Sequence, residues 1–146
     1  MQITDVRIKL SDNPAEKVKA WTSVEIDRQL AIRDIKVIDA GDGLFLAMPC
    51  RKTTDRCQQC KGKNQNTARW CNWCGKQLAE NRVHIRPDGK PDLWHDIAFP
   101  IDQALRTLMT DAVLDEYERI ADIAEGYKDF AEDANPIQKI EARHGE

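Results

Sequence analysis

Apolar and polar residues alternate from the start of the chain: Asp5, Arg7 and Lys9 interleave with Val6, Ile8 and Leu10. A period of two predicts a half-buried strand over Ile3–Leu10. The loop SDNPAE, with Asn13-Pro14 inside it, breaks that run. Alternation resumes over Lys17–Asp27, where Val18, Ala20, Thr22, Val24 and Ile26 share one face and Lys17, Lys19, Ser23 and Glu25 the other. Asp27-Arg28-Gln29 is short enough for a hairpin turn into a third strand, LAIRDIKVID. In that strand the apolar phase changes between Leu30/Ile32 and Ile35/Val37. A one-residue change of phase predicts a β-bulge near Arg33-Asp34. AGDG then makes a tight turn, GLFLAM reads as a fourth, more buried strand, and Pro49 ends it.

Residues 50–90 show no sustained period and are rich in turn formers. DLWHDIAFPI predicts one further short strand, stopped by Pro100, with Trp94 packed against the sheet. Asp102 is placed to cap a helix running through Glu116 toward Ile120 or beyond. Leu105, Leu108, Met109, Ala112, Val113 and Ile120 recur at three- and four-residue steps, with only Glu116 polar among them, so one face should pack on the sheet. Tyr117 is expected in the core with a wet hydroxyl. Gly126 and Asn135-Pro136 punctuate an acidic tail, 126–146, expected to be helical or flexible. These elements predict an α+β fold, a small antiparallel β-sheet followed by a C-terminal helix.

Charge changes this picture. Hydrophobic content of 41% suits a globular chain of 146 residues, and the formal net charge is only −3. Residues 50–90, however, hold 10 Lys and Arg against 3 Asp and Glu, while residues 102–146 hold 5 against 12. Positive charge therefore collects in the segment without periodicity. No apolar run is long enough to cross a bilayer, and the alternating MQITDVRIKL start does not read as a signal peptide. A cytoplasmic protein is the expectation, with no membrane partner.

In a reducing compartment, paired cysteines read as metal ligands or redox groups before disulfides. Four of the five cysteines form two pairs, Cys57-x-x-Cys60 and Cys71-x-x-Cys74, separated by the ten residues Lys61–Trp70. Each pair puts two thiolates on one side of a tight turn, and two such knuckles complete a tetrahedron around zinc. Gly75, directly after Cys74, suits the turn of backbone N–H groups toward sulfur. An insert this small buries too little apolar surface to fold alone, so the ion should supply its stability. Four ligands leave no open position, which makes the expected zinc structural. A dithiol redox pair and an iron site use the same residues and stay as alternatives. Cys50 is left as a free thiol, and His84 and His95 are lone histidines read as surface residues.

The flanks of the cysteine block carry a resemblance. DIKVIDAGDGLFLAMPCRKT, then PDG, HDIAFPI and DAVLDEY, together with the opening MQITDVRIKL, resemble the bacterial stage V sporulation protein G (septation regulator) family. The resemblance covers roughly residues 1–54 and 87–120. It implies a small antiparallel sheet followed by one helix, a homodimer, and nucleic-acid binding in gene regulation, cell division and sporulation. Residues 55–86 stand where the family has a short basic hairpin, so they read as an inserted zinc-ribbon-like knuckle pair. The resulting domain reading is 1–54 with 87–125 as host, 55–86 as insert and 126–146 as tail. The resemblance also makes Arg51, Lys52 and Arg106 nucleic-acid candidates on the host, although Arg106 suits a salt bridge with Asp102 equally well.

Within the insert, Arg56, Lys61, Lys63 and Arg69 offer charges to phosphates, and Trp70 offers a face on which unpaired bases stack. The same charges also suit the simpler role of offsetting a negative metal–thiolate centre, and Trp73 suits the ribbon's own miniature core. The function these features favour is a nucleic-acid-binding regulator, on DNA or RNA, with the ribbon extending its surface. The alternative is a protein-interaction adaptor whose ribbon docks a protein partner. No nucleophile–base–orienter set and no Gly-rich phosphate loop is present, so neither an enzyme nor a small-molecule substrate is expected.

Overall fold

The computed structural model describes residues 1–133. Two compact units emerge, one formed by Met1–Ala47 with the chain from Pro100 onward, the other by Met48–Phe99. The second unit thus takes in residues 48–54 and 87–99 along with the segment 55–86.

The first unit is built on β1 (Ile3–Leu10), β2 (Val18–Ile26), β3 (Leu30–Asp39) and β4 (Leu44–Ala47), an antiparallel sheet in the order β1-β2-β3-β4. Asp27 and Arg28 join β2 to β3 with φ of 51° and 56°, and the Gln29 N–H closes the turn on the Ile26 carbonyl at 2.9 Å. Positive φ at both central residues gives this three-residue connection, Asp27–Gln29, a turn whose twist matches that of the paired strands. The register of β2 on β3 shifts between Thr22↔Ile35 and Val24↔Ile32, so Ser23 faces both Arg33 and Asp34. Asp34 takes φ 60° there. This is the bulge that the phase change requires: it moves the strand's apolar set by one position so that Ile35 and Val37 turn inward.

Helix α1 (Gln103–Asp133) packs on β1, β2 and β4. The buried set joins Ala20, Val24, Ile26, Ile35 and Val37 of the sheet to Met109 and Val113 of the helix. Asp102 caps the helix by accepting the Leu105 N–H at 3.2 Å. Glu116 sits on the half-buried side and is satisfied by a bidentate pair with Arg119, which holds its carboxyl below the usual range.

Four expectations are corrected. Strand β4 is a sheet edge and not the more buried strand: it pairs with β3 alone, and Phe45 is 45% exposed. Leu108 is turned away from the packing face and is 43% exposed, because the helix is in contact along the Leu105–Met109–Val113 line. Gly126 does not interrupt α1, which continues to Asp133; a helical glycine costs about 1 kcal/mol, too little to end a long helix. The remainder of the acidic tail, with Asn135-Pro136, lies outside the described residues.

The fourth correction concerns Trp94. It belongs to the second unit, which contains two small sheets: β5 (Cys50–Lys52) paired with β8 (Trp94–Asp96), and β6 (Thr54–Arg56) paired with β7 (Lys63–Gln65). The strand expected over 92–101 is therefore only three residues long. Lys52 stands opposite Trp94 and lies 5.4 Å from its ring centroid, and Trp94 is 51% exposed. Thr53 ties the two sheets together: its N–H donates to the Leu93 carbonyl and its own carbonyl accepts from the Asn66 N–H. Strands of three residues are too short to show a period, which is why the sequence reads as turns there. No helix among the described residues is long and apolar enough to cross a membrane.

Candidate metal centre and basic surface

The two cysteine pairs fold into matching knuckles. In the first, the Cys57 N–H donates to the Gly62 carbonyl and the Lys61 N–H to the Cys57 carbonyl, each at 2.9 Å. In the second, the Cys71 N–H donates to the Lys76 carbonyl at 2.8 Å and the Gly75 N–H to the Cys71 carbonyl at 3.0 Å. Each knuckle needs a left-handed residue after its second cysteine: Lys61 at φ 62° and Gly75 at φ 74°. The glycine is thus explained at 75, whereas at 61 a lysine carries the same strain. Gly62, one position later, has a different reason. A Cβ there would lie 2.3 Å from Trp73 Cδ1, so only glycine lets the indole lie across the first knuckle.

All four sulfurs lie within 4.8 Å of one another, with Cys57 to Cys74 at 3.8 Å and Cys60 to Cys71 at 3.6 Å. These are far beyond an S–S bond, and no cysteine is in a disulfide. Four thiolates at Zn–S distances of about 2.3 Å would stand roughly 3.8 Å apart in a tetrahedron. The cluster therefore has the ligand set and the spacing to hold a tetrahedral, thiolate-bound metal ion. Cys57 and Cys71 are buried, at 1% and 4% exposure, while Cys60 and Cys74 face solvent.

The sulfurs are held by N–H groups as metal thiolates usually are. The Gly62 N–H donates to Cys60 and the Trp73 N–H to Cys71, both at 3.4 Å. Asn64, 2% exposed, adds its side-chain amide to Cys71 at 3.4 Å and accepts the Asn72 N–H at 2.8 Å. In the metal-free chain, burial opposes ionisation of Cys71, but the N–H groups of Cys74 and Trp73 and the Asn64 amide outweigh it and draw the thiol down to about 6. The N–H of Cys60 lowers Cys57 against its burial. The Gly62 N–H favours the Cys60 thiolate, but burial and hydrogen bonds to the other three sulfurs push that thiol up to about 11.

Asn64 is the residue holding the sulfur cluster that sequence reasoning missed. It lies in an unpatterned crossover, and only its contact across seven residues to Cys71 marks it. His84 and His95 do not join the sulfur cluster; His95 instead meets the Thr53 hydroxyl at 3.3 Å. Cys50 is an exposed free thiol.

The basic candidates divide by position. Arg51, Lys52, Arg56, Lys61, Lys63, Arg69 and Trp70 all lie exposed in the second unit. Arg106 belongs to the first unit; it makes no ion pair with Asp102 among the described residues, and its guanidinium is directed to the Pro100 carbonyl at 3.5 Å. Trp73 is no buried miniature core, being 72% exposed: one edge lies on Gly62, and its Nε1 donates to the Lys63 carbonyl at 2.9 Å. Arg82, one of the ten basic residues between 50 and 90, is turned inward. It donates to Asp55 at 2.7 Å and to the carbonyls of Ala68, Ala79 and Gln65, with only 18% of its side chain exposed.

Comparison with known proteins decides the lineage. A sequence model described as SpoVG matches residues 1–119. The chain belongs to the SpoVG family. Curated relatives named "Putative septation protein SpoVG" include one from Bacillus licheniformis, 31% identical over 125 residues, covering 86% of this chain and 91% of the relative. One from Clostridium perfringens is 35% identical over 123 residues, covering 84% and 96%. One from Clostridium acetobutylicum is 36% identical over 120 residues, covering 82% and 87%. The SpoVG match thus spans the sheet, the cysteine unit and the first half of α1.

Proposed function

We propose that this SpoVG-family protein is a nucleic-acid-binding regulator of the septation type, acting on DNA or RNA as a homodimer. Its four-cysteine centre holds a structural zinc ion through Cys57, Cys60, Cys71 and Cys74. The ion supplies the cross-link that two small paired strands cannot, and its closed ligand set gives it no part in a reaction.

The observation carrying the nucleic-acid reading is the surplus of free cations. Of the 10 Lys and Arg between residues 50 and 90, only Arg82 and Arg86 are in ion pairs among the described residues. A zinc ion on four thiolates has a net charge on the order of −2. The remaining cations outnumber it several-fold, so offsetting the centre does not account for them. An exposed, unneutralised basic surface is what a phosphate backbone requires.

Fluorescence anisotropy of labelled DNA and RNA against metal-loaded protein, repeated over a salt series, tests this reading. The expected result is binding that weakens linearly in log–log salt, with a slope that counts the phosphates engaged. Absence of binding at low salt would remove it. The exposed Ile85, Ile97 and Phe99 of the same unit favour the second reading, an adaptor for a protein partner. That reading predicts salt-insensitive binding to a protein and none to nucleic acid.

A further inference from the structure

Trp73 has a free face and a fixed orientation. Its polar edge is already used, Nε1 donating to the Lys63 carbonyl at 2.9 Å, so exposure of the ring is not needed to satisfy its N–H. Its other anchor is the Cβ-free surface of Gly62, where a methyl group would fall 2.3 Å from the indole. Yet 72% of the residue remains exposed. A large apolar ring held this way, clasping one knuckle to the other, is a surface that loses little freedom on meeting a flat partner.

The surroundings name the partner's charge. Arg56 and Lys63 stand directly opposite each other on β6 and β7. Like charges at a cross-strand pair destabilise a sheet, and among the described residues no carboxylate is ion-paired to either. The Arg56 guanidinium is anchored on the Lys61 carbonyl at 3.1 Å, one residue before the Gly62 that carries the ring. Lys63 supplies the carbonyl that holds the ring's Nε1. Two cations without an ion pair among the described residues are thus carried by residues tied to the same knuckle as the indole, within a single unit.

We propose that Trp73 is a stacking platform for an unpaired base, with Arg56 and Lys63 holding the adjoining phosphates, so that the protein selects single-stranded nucleic acid over duplex. Every base offers a π-face only when it leaves the stack, and aromatic platforms beside basic side chains recognise that state irrespective of sequence. A duplex offers the two cations its phosphates but offers the indole nothing. This inference rests on the nucleic-acid reading above and deepens it.

The test uses the full-length, metal-loaded protein and one mixed-sequence 15-mer, presented as single-stranded DNA, single-stranded RNA and DNA duplex at equal salt. The wild-type protein is expected to bind a single strand at least tenfold more tightly than the duplex. Trp73→Leu, which keeps an apolar side chain over Gly62, should lose about tenfold on the single strand and under about twofold on the duplex, with Trp73→Phe recovering most of the loss. Arg56→Gln with Lys63→Gln should lower the single-strand salt slope by about 1.4, from two phosphates at about 0.7 each. Duplex binding as tight as single-strand binding overturns the proposal even if the Trp73 variants fail to hold metal, and leaves nucleic-acid binding standing. Equal losses on both forms in Trp73→Leu overturn it in the same way. No binding to any of the three forms removes the proposal and the broader reading together.

Discussion

The Asn64 amide reaches the Cys71 sulfur at 3.4 Å while its carbonyl oxygen accepts the Asn72 N–H at 2.8 Å, so one buried side chain fixes both the sulfur and the turn that presents it. A third contact, to the Gly62 carbonyl at 3.2 Å, extends it back to the first knuckle. Removing this residue should loosen the centre without removing a ligand. Asn64→Ala is expected to weaken zinc affinity by about 10- to 100-fold. Chelator competition measures that, and unchanged affinity would mean the amide only fills space.

Two glycines in the knuckles are constrained for different reasons, and alanine should tell them apart. Gly62→Ala drives a methyl group into the Trp73 ring, so the indole must move; overpacking of this kind costs about 1–3 kcal/mol. Gly75→Ala meets no atom within 4 Å but must hold φ near 74°, a strain of about 1–2 kcal/mol. Both lower the unfolding temperature of the metal-loaded protein. Only the first should also alter the near-ultraviolet signal of the tryptophans in the folded state.

Arg82 is a fork that makes four hydrogen bonds inside the second unit. Arg82→Ala would strand the Asp55 carboxylate and three carbonyls, a loss of about 2 kcal/mol for charge-assisted bonds in a partly buried setting. Lysine should not rescue it, because a point charge cannot span four acceptors. Denaturant unfolding gives the loss. On the nucleic-acid reading proposed above, the slope of affinity against salt should be the same in Arg82→Ala as in the wild type, since this cation is already spent within the protein.

The metal-free knuckles should depend on pH with a definite sign. Cys71 has a folded value of about 6 against an ordinary 9.0, so the folded state binds the proton less well than the unfolded chain. Its contribution is full above about pH 9 and is lost as pH falls through 6. Cys60, raised to about 11, acts oppositely: its contribution is full below 9 and lost as pH rises through 11. Melting of the tryptophan fluorescence in chelator-treated protein at pH 5.5, 7.5 and 8.5 should therefore show stability rising across the series. In the metal-loaded protein, acid should release the ion, since protons and metal compete for the same sulfurs.

Much of this protein is written in local pattern. Alternation marked β1, β2 and β3, and a slip of that alternation marked the bulge at Arg33-Asp34, because side chains on a pleated strand must alternate faces and one slip exchanges them. Three- and four-residue spacing marked the helix, and Asp102 its start. The two Cys-x-x-Cys pairs marked the four-sulfur cluster, because bringing four thiols together takes two tight turns and little else. Position within the sheet was not legible: β4 reads as apolar, but whether it is covered depends on which strand becomes its neighbour.

What only the tertiary structure decided lies between residues distant along the chain. Arg82 turns inward because Asp55 and three carbonyls converge on it, and nothing in its neighbourhood separates it from the exposed Arg56. Trp73 is a clasp lying over Gly62, Trp94 stands across from Lys52, and Asn64 meets Cys71. Each of these depends on the closure of knuckles or strands too short to have a period of their own. Sequence determines which groups are available, through residue type and spacing. Packing determines which of them are satisfied inside and which are left to face a partner, because hydrogen bonds and charges are used up by whatever the fold brings within reach.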